Sequence, residues 1–183
     1  MRPENINTVC HRWLLENINE ESVCIDATMG NGNDTLFLAE HCRYVYAFDI
    51  QKEALEHTKE RLAGRENVSL FRASHAEMDK YVKESVDAVV FNLGYLPKGD
   101  ESVTTLWEST QTAVKKALAL LKSDKCLFLV FYIGHAEGNR EYRSFLSFLP
   151  TLQNVKVERT YTYMDRHDAP ILYQIRKIGD EIL

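Results

Sequence analysis

Short, nearly continuous apolar runs alternate along the chain with longer segments in which apolar residues recur every three or four positions. The runs are SVCIDAT (22–28), YVYAFDI (44–50), VSLFRAS (68–74), VDAVVFNLG (86–94) and KCLFLVFYI (125–133). Their length, and their content of β-branched and aromatic residues, predict strands buried on both faces. Between them lie DTLFLAEHC, QKEALEHTKERLAG, HAEMDKYVKE and VTTLWESTQTAVKKALALLKSD. The last carries Val103, Leu106, Trp107, Val114, Leu118 and Leu121 at helical spacing, which predicts one long helix over 103–124. Ahead of the first run, RPENINTVCHRWLLENI predicts a covering helix within residues 1–20.

Strands separated by single helices pair in parallel, through crossover connections. After the fifth run the pattern changes. A helix at about 137–149 precedes VKVERTYTYM and APILYQIRKI, with only DRHD between these two. So short a connection cannot hold a crossover helix, and it predicts an antiparallel hairpin. The expectation is a single α/β domain over residues 1–183. Its Rossmann-like sheet is seven-stranded and mostly parallel, with helices on both faces and a C-terminal antiparallel hairpin.

Composition changes this picture little. At 45% hydrophobic and 27% charged residues, the chain is ordinary for a globular domain. The longest apolar run, CLFLVFYI, is far shorter than the roughly 18 residues a membrane helix needs. MRPENINTVCHRW has no apolar signal core. Cys10, Cys24, Cys42 and Cys126 show no C-x-x-C spacing, and they have the pattern of buried reduced thiols. His11, His41, His57, His135 and His167 form no metal-ligand spacing with them. A cytoplasmic protein with neither membrane nor metal as partner is the expectation. The net charge of −5 speaks weakly against nucleic acid, but it is unevenly spread. Residues 1–97 carry 10 Lys and Arg against 16 Asp and Glu, whereas residues 98–183 carry 12 against 11. A polyanion would therefore meet the second half, where Arg140, Arg143, Arg159 and Arg166 lie.

Residues with chemical potential gather where strands end. DATMGNGND leaves the first run and enters a helix, and its glycines, Gly30 and Gly32, let the backbone turn tightly against a ligand. A dinucleotide fingerprint would place a third glycine where Thr35 stands, so pyrophosphate is poorly served. With Asp26 four residues before Gly30, the loop instead resembles the S-adenosylmethionine motif of class I methyltransferases. That cofactor has no phosphate and carries a cationic methionyl end. The sheet with its terminal hairpin is also the layout of class I methyltransferases. Asn31, Asn33 and Asp34 sit on the loop; the asparagines equally suit left-handed turns, and Asp34 a helix cap. Asp49 ends the second run, where a carboxylate can accept both ribose hydroxyls or cap the next helix. Ile50 and Gln51 are placed to flank adenine. Ser74 and His75 close the third run, at the edge where α/β sheets bind ligands.

The fourth run does not simply stop. FNLGYLP puts Asn92, Leu93, Gly94 and Tyr95 at the strand end that faces the transferable methyl group in a methyltransferase. NLGY resembles the Asn-Pro-Pro-Tyr motif of enzymes that methylate amino nitrogens. An amide oxygen from Asn92 and the carbonyl of Leu93 can accept an amine's hydrogens and aim its lone pair. Tyr95 can stack on an unpaired base. The simpler alternative is a turn, with Tyr95 half-buried. Cys126 has no base near it in sequence, so a cysteine nucleophile is not expected.

Taken together, DATMGNGNDTLFLA, FDIQ, SH, FNLGYLPKGD and YIGHAEG resemble the MnmM-type tRNA methyltransferases, a bacterial family formerly labelled rRNA methylase-like. The resemblance covers nearly the whole chain. It implies S-adenosylmethionine as donor, the anticodon stem-loop of a tRNA as partner, and methylation of the amine of 5-aminomethyl-(2-thio)uridine at the wobble position. It implies cofactor contacts from Asp26, Gly30, Asn31, Gly32, Asn33, Asp34, Thr35, Asp49, Gln51, Ser74 and His75. The target-amine motif maps onto Asn92, Leu93, Gly94 and Tyr95, with Asn92 near the cofactor as well. GHAEGNREY keeps Gly134 and His135 but departs from a more glycine-rich GH-x-G-G form; His135 suits substrate contact and helix capping alike. A homodimer is left open. Two other readings stand beside this one: an N-methyltransferase of rRNA or of a small-molecule or protein amine, and a nucleotide-binding module without catalysis.

Overall fold

The computed structural model describes residues 3–94, 102–163 and 165–180. In chain order the elements are α1 (Ile6–Leu15), β1 (Val23–Asp26), α2 (Asn33–His41), β2 (Tyr44–Asp49), α3 (Lys52–Leu62) and β3 (Val68–Arg72). A 3-10 turn (His75–Glu77) runs into α4 (Met78–Tyr81), followed by β4 (Val86–Leu93), α5 (Trp107–Leu120), β5 (Leu121–Phe131), α6 (Ala136–Phe148), β6 (Val155–Thr162) and β7 (Ile171–Lys177). The strands form one sheet in the order β3-β2-β1-β4-β5-β7-β6. The first five pair in parallel, and β7 runs antiparallel to both β5 and β6. The expected layout is found.

Alternate residues of the central strands serve opposite faces of the sheet. Phe91 and Leu93 of β4, with Leu127, Leu129 and Phe131 of β5, pack against Val114 and Leu118 of α5 and Phe145 of α6. Ala88, Val90, Phe128 and Val130 face the other way, onto Val9 and Trp13 of α1 and Leu38 of α2. Each large side chain so buried contributes roughly 1.5–3 kcal/mol by leaving water, which makes the centre of the sheet a rigid floor. Along β4 burial is broken only at Asn92. All four cysteines are buried and free, and the Cys24 and Cys42 sulfurs lie 3.2 Å apart. Among the described residues no helix is long and apolar enough to cross a membrane.

Two elements differ from expectation. The helix expected over 103–124 is α5 alone, because Leu121 continues the apolar spacing while its backbone already pairs with Val86. Upstream, Thr105 donates its N–H to the Gly94 carbonyl at 2.9 Å and its hydroxyl to Glu141 at 2.8 Å. Those bonds hold the segment off the helix. HAEMDKYVKE likewise forms only the 3-10 turn and the short α4, since Val82 returns to an extended conformation before β4.

The covering helix α1 is pinned by the outer hairpin. The Arg159 guanidinium lies over the Trp13 ring, 4.2 Å from its centroid, and also pairs with Glu16 and donates to Gln174. Two and four residues on, the Tyr161 hydroxyl donates to the Glu4 carbonyl at 3.0 Å, and the Tyr163 hydroxyl accepts from the Ile6 N–H at 2.9 Å. Arg159 and Tyr161, two apart on β6, share a face, and Tyr163 follows just past the strand's end, so these three form one clamp. The Arg159 guanidinium, expected to meet phosphate, is engaged within the fold in this structure.

Candidate active site

A cleft of about 710 Å³ opens at the carboxyl ends of β1, β2, β3 and β4. Gly30, Asn31, Asn33, Asp34, Asp49, Ile50, Gln51, Ser74, His75, Asn92 and His135 all border it, so most of the expected site residues are brought together. The loop between β1 and α2 is its wall. Left-handed backbone falls on Gly30 (φ 49°) and Gly32 (φ 83°), not on Asn31 or Asn33. At Gly32 a Cβ would also lie only 2.9–3.0 Å from Thr58 atoms of α3, so this position admits no side chain. Asn31 is tied to α3 as well, through its side-chain oxygen to the His57 ring and its carbonyl to Arg61.

Asp26 and Thr35 do not reach the cleft. Both are fully buried, and Thr35 donates its hydroxyl to Asp26 at 2.6 Å while the Thr28 N–H donates to Asp26 at 3.1 Å. The acid expected to touch a cofactor instead shapes the loop from beneath. Burial, with the Asp34 charge nearby, pushes its pKa up to about 8. The folded state thus holds a proton that the unfolded chain releases near pH ~4. The stability this group supplies is complete below that point and is lost as pH rises through about 8. Asp26→Asn keeps an acceptor for the Thr28 N–H and presents an amide N–H to the Thr35 hydroxyl, which then accepts instead of donating, but it cannot ionise. Thermal melts across that window should fall with pH in the wild type and fall less in Asp26→Asn; parallel curves would refute the assignment.

At the end of β2, Asp49 accepts from the Gly30 N–H at 3.1 Å and the Gln51 N–H at 2.9 Å, tying the loop to the start of α3. Beside it the Ile50 side chain is 55% exposed, an apolar surface facing the cleft. Ser74 caps the 3-10 turn by accepting from the Ala76 N–H. His75 is buried against Phe91, and burial lowers its pKa to about 4. Its Nδ1 lies 3.2 Å from the Ala27 carbonyl, which can only accept. The neutral ring therefore carries its hydrogen on Nδ1 and offers Nε2 as an acceptor.

Asn92 sits where β4 leaves the core. Its N–H donates to the Thr28 hydroxyl at 2.7 Å, and its side-chain nitrogen donates to Asn7 at 3.1 Å and to Asp34 at 3.3 Å. A carboxylate only accepts, so the atom facing Asp34 must be the nitrogen. The amide oxygen remains as the group able to accept from a ligand. Asp34 is not a helix cap, since Gly32 occupies that position without a side-chain bond. Its second oxygen lies 2.6 Å from His11 Nε2.

Comparison with known proteins settles the family. Residues 45–176 match the model of the family described as "Putative rRNA methylase". The chain belongs to this family. A "tRNA (mnm(5)s(2)U34)-methyltransferase, chloroplastic" of Arabidopsis thaliana is 38% identical over 90% of this chain, which spans 66% of that relative's length. A solved "putative rRNA-methylase" of Clostridium thermocellum superposes with a TM-score of 0.91 at 35% identity, covering 97% of this chain and 100% of that one. A "putative methyltransferase" of Streptococcus mutans, solved in complex with SAH, gives 0.88 at 37% identity with the same coverage. The fold is that of the class I methyltransferases.

Other members of the site were not visible from sequence. This rRNA methylase-family chain brings Asn7 of α1, and Tyr132 just beyond β5, to the same cleft. The Tyr132 hydroxyl approaches Asn7 at 3.5 Å, and burial pushes its pKa up to about 12. The available signal was modest: Asn7 and His11 are polar residues four apart, hence on one face of an otherwise apolar-patterned helix. Val103 and Leu106, read as helix face, border the cleft. His135 caps α6, accepting from the Gly138 N–H at 3.2 Å, and also borders the cleft. Of the four arginines only Arg166 reaches the rim, paired with Asp168; Arg140 pairs with Glu108 and Glu137 on the surface, and Arg143 is exposed on α6. The Leu93 side chain is buried and does not border the cleft. Tyr95 lies outside the described residues.

Proposed function

We propose that the chain is an S-adenosylmethionine-dependent tRNA methyltransferase that methylates the amine of 5-aminomethyl-(2-thio)uridine at the wobble position. The observation that carries this is Asn92: its amide hydrogens are engaged by Asn7 and Asp34, and its oxygen stands ready to accept from an amine at the end of β4. The name of the Arabidopsis relative supports the substrate, and the SAH bound in the Streptococcus structure supports the donor. The cleft is of a size that suits such a ligand. Asp49 would take the ribose hydroxyls, Ile50 and Gln51 the adenine faces, and His75 Nε2 an exocyclic amine. The donor supplies an electrophilic methyl group on a cationic sulfur; this chain's part is to aim an amine at it. Arg140, Arg143 and Arg166 would meet phosphates, their surface ion pairs being weak enough to exchange.

The test is methylation of an anticodon stem-loop bearing 5-aminomethyluridine, read by nucleoside mass spectrometry, with an unmodified stem-loop, rRNA and small amines as competing acceptors. Mass gain on the aminomethyl nucleoside alone is expected, and transfer only to another acceptor overturns the reading. By calorimetry, Asp49→Ala should weaken S-adenosylmethionine binding by roughly 1–3 kcal/mol, the range for hydrogen bonds to a charged group. Preferential binding of NADH would contradict the donor assignment.

A further inference from the structure

We propose that Asp34 takes the proton from the ammonium form of the substrate amine and that His11 passes it to solvent. The inference rests on the amine reading above and adds what that reading lacks. An aliphatic amine titrates near ~10, so at neutral pH it arrives protonated, with no lone pair to give. Some group in the cleft must remove that proton, and Asn92 cannot.

Asp34 can. It borders the cleft beside Asn92, with one oxygen 3.3 Å from the Asn92 nitrogen and the other 2.6 Å from His11 Nε2. The Asp34 side chain is 9% exposed and that of His11 is 23%, so the carboxylate is nearly sealed while the imidazole reaches water. Phe37 holds the ring by stacking, 3.9 Å between centroids and 10° between planes. α1 therefore closes the site with Asn7 and gives it a proton exit with His11.

In the step itself, an N–H bond of the ammonium breaks and its electron pair stays on nitrogen. The proton bonds to Asp34. At rest the His11 Nε2–H donates to the ionised carboxylate; once Asp34 is neutral the ring exchanges through water to its Nδ1–H tautomer, takes the proton at Nε2, and the resulting imidazolium releases the Nδ1 proton to water. The nitrogen pair then bonds the methyl carbon as the carbon–sulfur pair departs onto sulfur. The product is a secondary ammonium, and one proton is released per methyl transferred.

The titratable groups facing Asp34 are Cys10 and His11 of α1, Asp26 of β1 and Tyr132 beyond β5. Burial drives Cys10 and Tyr132 above the assay range, but Asp26, at about 8, lies inside it. Profiles are therefore also recorded on an Asp26→Asn background. Single-turnover rates on the aminomethyl stem-loop are measured from about pH 6.5 to about 9.5 at saturating donor. Asp34→Asn should lose about tenfold or more at neutral pH and recover at high pH, as the amine sheds its proton in solution. His11→Gln should lose less and recover likewise. A second measurement needs no turnover: with SAH bound, the wild type should prefer the aminomethyl over the unmodified stem-loop, and Asp34→Asn should not.

A loss in Asp34→Asn that is constant with pH, a recovery that vanishes on the Asp26→Asn background, or a preference that survives Asp34→Asn would each overturn the proposal. If Asp34→Asn does not fold, His11→Gln decides, and an unchanged rate at neutral pH overturns it. A wild type that never methylates this RNA would sink the amine reading itself, before any variant is made.

Discussion

Asn92→Ala should lower kcat by on the order of a hundredfold or more, with the Michaelis constants for donor and RNA little changed. The reason lies in when the interaction matters. On the proposed amine reading, the Asn92 oxygen would accept from a neutral amine in the ground state and from an increasingly cationic nitrogen as the new bond forms. An interaction that strengthens toward the transition state raises turnover more than binding. The fold preorganises it, because Thr28, Asn7 and Asp34 hold the backbone and amide of Asn92 before any ligand arrives. Asn92→Asp also supplies an acceptor, but its carboxylate would face that of Asp34, and like charges at that distance force one of them to keep a proton. That variant should therefore be impaired at neutral pH despite its similar shape. Near-normal kcat in Asn92→Ala on aminomethyl-uridine RNA would reduce NLGY to a turn.

The sheet was legible because strands buried on both faces must be written as near-continuous apolar runs, as β4 and β5 are. The strand-end residues were legible for a related reason. Asp49, His75 and Asn92 each break such a run at its carboxyl edge, where a parallel sheet binds ligands. What sequence did not carry was the pairing between distant segments. Asn92 meets Asn7, 85 residues away, and His11 meets Asp34 across 23, and neither separation follows from local periodicity. α1 reaches the site because Arg159, Tyr161 and Tyr163 hold it there, and an arginine in such a clamp looks the same in sequence as one awaiting phosphate. Asp26 shows the limit differently. Its spacing from Gly30 is what the motif predicts, but its hydrogen bonds, to Thr28 and Thr35, lie inside the loop that borders the cleft.

Gly138→Ala should destabilise the protein and impair catalysis while leaving donor binding nearly intact. A Cβ at this position would lie 1.9 Å from the Tyr132 carbonyl oxygen and 2.7 Å from His135 Nε2. The first neighbour is backbone, so it cannot swing aside; either the start of α6 or the turn after β5 must move. Overpacking of this kind costs about 1–3 kcal/mol, which for a chain of this size lowers Tm by roughly 2–12 °C. Movement there reaches chemistry on both sides. His135 loses the Gly138 N–H it accepts as the helix cap, and Tyr132 shifts against Asn7, one of the two groups that hold the Asn92 amide. Asp49, Ile50 and His75 lie on the other side of the cleft, at the ends of β2 and β3, and should keep their places. The same contrast explains how GHAEGNREY tolerates losing a glycine of the form it resembles. The replaced position holds Glu137, whose side chain is 29% exposed and pairs with Arg140, whereas Gly138 is where no side chain fits. The measurement is a melt together with calorimetry of S-adenosylmethionine binding and a turnover assay. A variant with wild-type Tm and wild-type kcat would show that the contact with Tyr132 yields freely. A fall in donor affinity as large as the fall in kcat would show that the two halves of the cleft move as one.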